Sequence, residues 1–223
     1  MSKEHEVKVS DIEECVFSEL LKPPKLPSSS DVLFTSQEDW WNNACVNWCH
    51  DSWGIYANGY KEAADILVNQ VEIRAVGAYQ DSLVYPVIFL YRQYLELAIK
   101  GLLQDAKRLQ DINGDMPKHH RIDQIWIECR NLLSEIWQGN SIKELDQITR
   151  LLKDFAKVDP TSEAFRYPHD KKGQPSLEGL THINLRNVRE VIGKISVILT
   201  GAQAQINEYL GYKADMEHDT GWY

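Results

Sequence analysis

The sequence predicts an all-α protein, an antiparallel bundle of long helices. Three observations carry that expectation. Apolar residues recur at spacings of three and four along most of the 223 residues, with almost no strand-like alternation. Prolines, glycines and capping residues interrupt the periodic stretches at helix-length intervals. Hydrophobic residues make up 43% and charged residues 26%, which suits a globule with a sizeable core and not a disordered chain.

Residues 1–9 form a polar lead, and Ile12 to Leu21 reads as a short helix ended by Pro23-Pro24. Lys22 to Ser30, rich in proline and serine, is a linker. Ser36 looks like an N-cap, with Glu38 and Asp39 in the first turn, for a helix to about Trp53. Trp41, Cys45, Trp48 and Cys49 share one face of it. A second helix from Tyr56 to Tyr79 would bury Ala63, Ile66, Leu67, Val71 and Ala75. The central helix, Leu83 to Gln110, has Pro86 in its first turn, where a missing N–H does little harm, and a core stripe of Val87, Tyr91, Tyr94, Ala98 and Leu102. Asn113-Gly114-Asp115 closes it.

After Pro117 a helix from Ile122 to Trp137 is stopped by Gly139-Asn140. Ser141 and Glu144 form a capping box for the next, which runs to about Lys157 and ends at Asp159-Pro160. Thr161 to Thr181, with two prolines and two glycines, is irregular, and so long a loop inside a helical domain points to function. A final helix spans Asn184 to Leu210. The expected organisation is a lead and linker (1–35), a helical extension packing on the core (36–79), the main helical domain (80–210) and a flexible tail (211–223).

Lys and Arg number 24 against 33 Asp and Glu, a net charge of −9 that rules out gripping nucleic acid by overall charge. Residues 1–80 hold most of that excess, with 6 basic and 13 acidic side chains. The remainder is close to neutral, so a small specific site there is compatible with an anionic ligand. Cys15, Cys45, Cys49 and Cys129 are few and scattered, as in a reducing compartment. The start lacks a signal-like apolar core, and the longest apolar run, Leu83 to Tyr91, is far short of a membrane span. A cytoplasmic protein without membrane association is expected.

Three constellations could carry chemistry. Arg92, Glu96 and Lys100 stand four apart on the central helix, either as a solvated ion-pair ladder or as a polar strip facing a groove or second subunit. Phe165 to Gly173 gathers Arg166, His169, Lys171 and Lys172 beside aromatic rings, which suits a phosphate or a base, or else is an exposed loop with Arg166 pinned by a carboxylate. His119 and His120 precede a helix; adjacent residues rarely share one ion, so a capping or hydrogen-bonding role is expected and no metal. Cys45 and Cys49 miss the redox and haem-attachment spacing by one residue and read as core. No phosphate-cradling glycine loop and no Gly-flanked serine nucleophile is present, and no cofactor is expected.

The stretch Tyr91 to Leu103 (YRQYLELAIKGLL), then His119 to Trp126, then Phe165 to Pro168 and a closing helix, resembles the HEPN superfamily, helical domains named for higher eukaryotes and prokaryotes nucleotide-binding. The resemblance covers about residues 80–205. Glu96 and Lys100 match the family's Glu-x3-Lys/Arg pair. Family ribonucleases, which need no metal, carry an Arg, a polar residue and a following His at the start of the last helix, and pair two copies across a dimer. Arg186-Asn187 matches the opening of that motif, whereas Val191 stands where the His would be, so the imidazole for general acid/base work is missing there.

The resemblance implies a bacterial homodimer binding RNA or a nucleotide in a groove, in a toxin–antitoxin or phage-defence setting. Arg92, Glu96, Lys100, His120, Lys171, Lys172, Arg186 and Asn187 would line it. One alternative is a metal-independent endoribonuclease using Arg166 and a non-standard histidine, His169 or His120. Another is a regulatory module that binds a cognate protein, with Trp40, Trp41, Trp48 and Trp53 serving either the partner or the core.

Overall fold

The computed structural model of the chain describes residues 26–46, 53–74, 77–137 and 142–220. The expected helix Ile12–Leu21, the stop at Gly139-Asn140, the cap Ser141, Trp48 and Cys49 lie outside them. The chain divides into two compact units, Met1–Trp48 and Cys49–Tyr223.

In the first unit the helix expected from Ser36 is not formed among the described residues; Trp40–Asn42 make one 3-10 turn. Asparagine chemistry explains the difference. Asn43 takes the Gln37 N–H on its Oδ1 (3.0 Å) and donates Nδ2 to the Gln37 carbonyl (2.7 Å), while Asn42 donates to Asp39 (2.6 Å). Such side chains offer the backbone partners that a helix would otherwise supply.

The second unit is all-α. Its helices are α1 (Trp53–Arg74), α2 (Gly77–Leu109), α3 (Ile122–Ile136), α4 (Ile142–Val158) and α5 (Leu185–Thr220). No helix among the described residues is long and apolar enough to cross a membrane. The boundary expected at residues 79/80 falls inside α2, and α1 belongs to the same unit as the rest. Pro86 sits well inside α2 and not in its first turn. It forgoes the bond to the Ser82 carbonyl, which is tolerable because Ser82 is exposed and water can serve that oxygen.

Side-chain bonds fix the directions. Trp53, at the start of α1, donates its indole N–H to Gln104 near the end of α2 (2.6 Å), and Tyr91 Oη donates to Asp65 midway along both (2.6 Å), so α1 and α2 are antiparallel. Reaching Tyr91 rotates α1 from its expected face: Ala57, Ala64 and Val68 are buried, Ala63, Leu67 and Val71 are only partly so, and Ile66 is exposed. Gly101 makes the approach possible, since a Cβ there would stand 3.0 Å from Trp53 Cβ.

α2 ends in a Schellman-type turn, with Ile112 N–H on the Lys107 carbonyl (2.9 Å), Asp111 N–H on that of Arg108 (3.3 Å) and Asp111 at φ 55°. The stop thus falls before Asn113-Gly114-Asp115. The chain then returns along α2 without helix, and α3 sets out again in the direction of α2, with Lys107 paired to Glu128 (2.6 Å). α4 runs antiparallel to α3, held by Trp126 to Thr149 (2.8 Å) and Arg130 to Asp146 (2.5 Å). α5 runs along α2, through Gln203 on Asp105 (2.6 Å) and Lys213 at the end of α2.

α5 continues to Thr220, about ten residues beyond the expected end, where a flexible tail was expected. Lys213 supplies the reason. Its Nζ reaches the Leu109 carbonyl (3.2 Å) and Asp111 (2.6 Å), a cation at the negative end of α2 that ties the extension down. Lys213→Ala is expected to cost about 1 kcal/mol, read as a melting temperature lower by about 2–4 °C, with loss of helical signal from the last turns of α5.

Candidate functional site

The spacing of four that aligns Arg92, Glu96 and Lys100 does place them on one strip of α2, but neither solvent nor an open groove faces it. The returning chain before α3 covers it. The three residues are 0%, 1% and 7% exposed, so both the solvated ladder and the groove lining are corrected to a buried ionic network. Arg92 Nη1 donates to Glu96 Oε2 (3.2 Å) and Lys100 Nζ to Glu96 Oε1 (2.9 Å). Arg92 Nη2 donates to the His120 carbonyl, and His120 Nδ1 meets Glu96 Oε1 at 2.8 Å.

Charge sets the proton positions. Burial pushes the Glu96 carboxyl up, but the bonds from Lys100 and His120 and the charges of Lys100 and Arg92 outweigh it, holding it below the usual carboxylate range. Burial likewise pushes the Arg92 guanidinium down, opposed by the charges of Glu96, Asp159 and Asp123. Glu96 is therefore an ionised acceptor with no proton to give. The shared proton belongs to His120 Nδ1, and Nε2 is left to the surroundings, a lone pair when the ring is neutral. The His120 side chain is 59% exposed, so the network holds one edge of the ring and presents the other outward. His119 turns to another partner, accepting the Arg121 N–H (3.2 Å). Among the described residues no group of His, Cys, Asp and Glu could hold a metal ion.

The 165–173 loop is built separately. Arg166 is not pinned by a carboxylate: its Nε donates to the Ser162 carbonyl (2.6 Å) and its guanidinium lies over the rings of Phe89 (5.7 Å) and Tyr167 (5.4 Å). The tip is fixed by Asp170, whose Oδ1 accepts the N–H groups of Lys172 (2.8 Å) and Gln174 (2.9 Å), with Gly173 at φ 79°. Lys171 is exposed and pairs with Glu163 (3.0 Å). His169 is exposed at the start of this tip, and among the described residues no hydrogen bond joins it to Arg166. The expected Arg166–His169 pair is not formed, because Arg166 folds back onto α2 while the tip carries His169 away.

Arg186 and Asn187 lie on a third surface, at the start of α5. Arg186 Nε donates to Glu72 of α1 (2.7 Å), which Arg189 also engages (3.1 Å), and Arg186 borders a cleft of about 650 Å³ floored by Val68, Val84, Phe165 and Leu180. Val191, at the position of the missing imidazole, lines an apolar recess of about 270 Å³ with Ile88, Phe155 and Ile195. A histidine there would meet hydrocarbon. The sequence-derived residues thus separate into the His120 network, the loop, and the start of α5.

Sequence reasoning missed Asp159 as anything but a helix stop. It is 1% exposed, its Oδ1 accepts the N–H groups of Glu163 (2.9 Å) and Ala164 (3.1 Å), and its charge acts on Arg92. The only signal was an Asp-Pro pair closing a helix. The sequence matches no family model, and no curated protein and no solved structure is significantly similar to the chain.

Proposed function

We propose that this chain binds RNA or a nucleotide at the surface that presents His120, as a homodimer whose groove brings two such surfaces together. The observation that supports the reading is the buried Arg92–Glu96–Lys100 network holding one edge of an outward-facing imidazole. Burying three charged side chains costs several kcal/mol per ion before their mutual attraction offsets it, and hydrophobic residues could fill the same space. Hydrophobic residues could not orient a histidine in this way. In this reading Arg92, Glu96 and Lys100 are positioning residues that touch no ligand, whereas His120 does.

The Nε2 lone pair favours one further reading, a metal-independent endoribonuclease in which His120 takes the proton of a 2′-hydroxyl. Here His120, and not His169, is the acid/base. A protein-partner reading has its own support in the first unit, where Trp40 and Trp41 are 75% and 69% exposed and meet edge to face at 6.1 Å, against the core role expected of them.

Anisotropy titration with single-stranded RNA and with mononucleotides at low salt tests the binding reading, alongside sedimentation for the dimer. His120→Gln keeps polarity without the titratable ring. It is expected to weaken binding about tenfold, the loss of one good hydrogen bond to a charged group. If the chain cleaves, the variant loses about 10²–10⁴-fold in rate. Absence of wild-type binding to either probe overturns the reading.

A further inference from the structure

We propose that the cleft at the start of α5 binds a small hydrocarbon carboxylate, with its chain on the apolar floor and its carboxylate on Arg186. Neither His120 nor the network behind it lines this cleft, so the two sites stand or fall independently.

The irregular segment before α5 builds one wall. Leu177 to Leu180 close a turn in which the Leu180 N–H meets the Leu177 carbonyl (3.1 Å) and Gly179 takes φ 80°, a conformation that suits glycine. The turn leaves Leu180 39% exposed in a cleft that it shares with Val68 of α1, Val84 of α2 and Phe165. The space, about 650 Å³, lies within the usual range for small-ligand sites, and the open side of Leu180 is hydrocarbon that an apolar chain would remove from water. These four side chains carry no polar atom. A nucleobase lying on them would bury its hydrogen-bonding edges without partners there, whereas a hydrocarbon chain has none to satisfy.

The mouth supplies the charge. Glu72 accepts Arg186 Nε (2.7 Å) and both terminal nitrogens of Arg189 (3.1 and 3.2 Å), so one carboxylate is shared by two guanidiniums. The Nε bond fixes the direction of the Arg186 side chain, and its Nη1 and Nη2 have no hydrogen-bond partner among the described residues. That pair is a planar fork whose geometry matches two carboxylate oxygens, and anchoring at Nε lowers the ordering cost of using it. The Arg186 side chain is 65% exposed at the edge of the cleft, open to an arriving anion. Glu190, one turn along α5, also acts on its charge but does not line the cleft. A singly charged head suits this mouth better than a phosphate dianion, because Glu72 and Asp81 line it too.

Calorimetric titration of the full chain with straight-chain carboxylates tests the site. Octanoate is expected to bind saturably at one per chain, with affinity rising about fourfold for each methylene added from hexanoate to octanoate. Arg186→Gln is expected to weaken octanoate about fivefold while leaving octan-1-ol unchanged, since the alcohol has the chain without the charge. Leu180→Ser, at an exposed position, removes floor and keeps the fork, and should weaken acid and alcohol alike. Octanoate-induced NMR shifts of the Val84 and Leu180 methyls place the chain in the cleft; shifts confined to Val191 and Ile195 place it in the apolar recess and overturn the proposal. So does the absence of saturable octanoate binding, an Arg186→Gln loss shared equally by the alcohol, tighter binding of octylammonium than of octanoate, or displacement of octanoate from the cleft by uridine monophosphate. RNA binding at the His120 surface, or its absence, leaves these outcomes unchanged.

Discussion

Glu96→Ala is expected to destabilise the chain by about 3–5 kcal/mol, the cost of leaving buried charges uncompensated. Glu96 is the acceptor for both Arg92 Nη1 and Lys100 Nζ in the network, and it also holds His120. Without it two cations remain in a site that is nearly closed to water. Glu96→Gln retains one carbonyl acceptor but turns an amide donor toward the cations, and it is expected to fall between the wild type and the alanine variant. The contrast that gives the experiment meaning is the triple variant Arg92→Met, Glu96→Leu, Lys100→Met, which removes both the charges and the need to balance them. Replacement of a whole buried ionic group by hydrocarbon is often neutral or stabilising by about 1–4 kcal/mol. Urea midpoints for the three proteins rank them. A triple variant as unstable as Glu96→Ala would show that the network supports the fold and not the histidine. The sign with pH comes from the lowered pKa of Glu96: its contribution is complete above the ordinary carboxylate range and is lost as pH falls below that range through the folded value. The stability gap between wild type and Glu96→Ala should therefore narrow only in acid, below the ordinary carboxylate pKa of about 4.3.

How much of this was legible in the sequence depends on whether the controlling interaction was local. The helices α2 to α5 follow from periodicity and stop signals, since 3.6-residue patterning is itself the cause of their packing. The α2 strip was likewise readable as Arg92, Glu96 and Lys100 on one face. What covered the strip was not, because burial depends on the chain reversing after Asp111 and running back along α2 before α3 begins, a decision made by tertiary packing. The same limit applies to His120. Its neighbour at position 119 suggested a pair, whereas its partner is Glu96, 24 residues away. Trp41 failed in the opposite direction: with Cys45, Trp48 and Cys49 its spacing suited a buried helical face, but Asn42 and Asn43 bond locally and, among the described residues, only a 3-10 turn forms there. α5 outran its expected end for a non-local reason as well, since Lys213 finds its partners on α2, over a hundred residues earlier.

Trp126→Ala is expected to cost about 3–5 kcal/mol, and the loss should be concentrated in α4. Trp126 is wholly buried at the α3–α4 contact, and its indole N–H donates to Thr149 Oγ1 (2.8 Å), while that hydroxyl donates to the Leu145 carbonyl (2.8 Å). The ring thus fills the space between the two helices and fixes their register with one bond. α4 packs chiefly on α3, so it has little else to hold it when the ring is removed. Leu145, Ile148 and Leu152 would lose the surface they bury against, and α4 would open before the rest of the bundle. Amide exchange reads this directly. In the wild type, α4 amides should exchange with a free energy near that of global unfolding; in Trp126→Ala they should exchange faster than those of α2, whereas a uniform acceleration across all five helices would show that α4 is not a separate cooperative element. Trp126→Phe keeps most of the volume, and Thr149 keeps its bond to Leu145, so that variant should lose less than half as much and leave α4 protected.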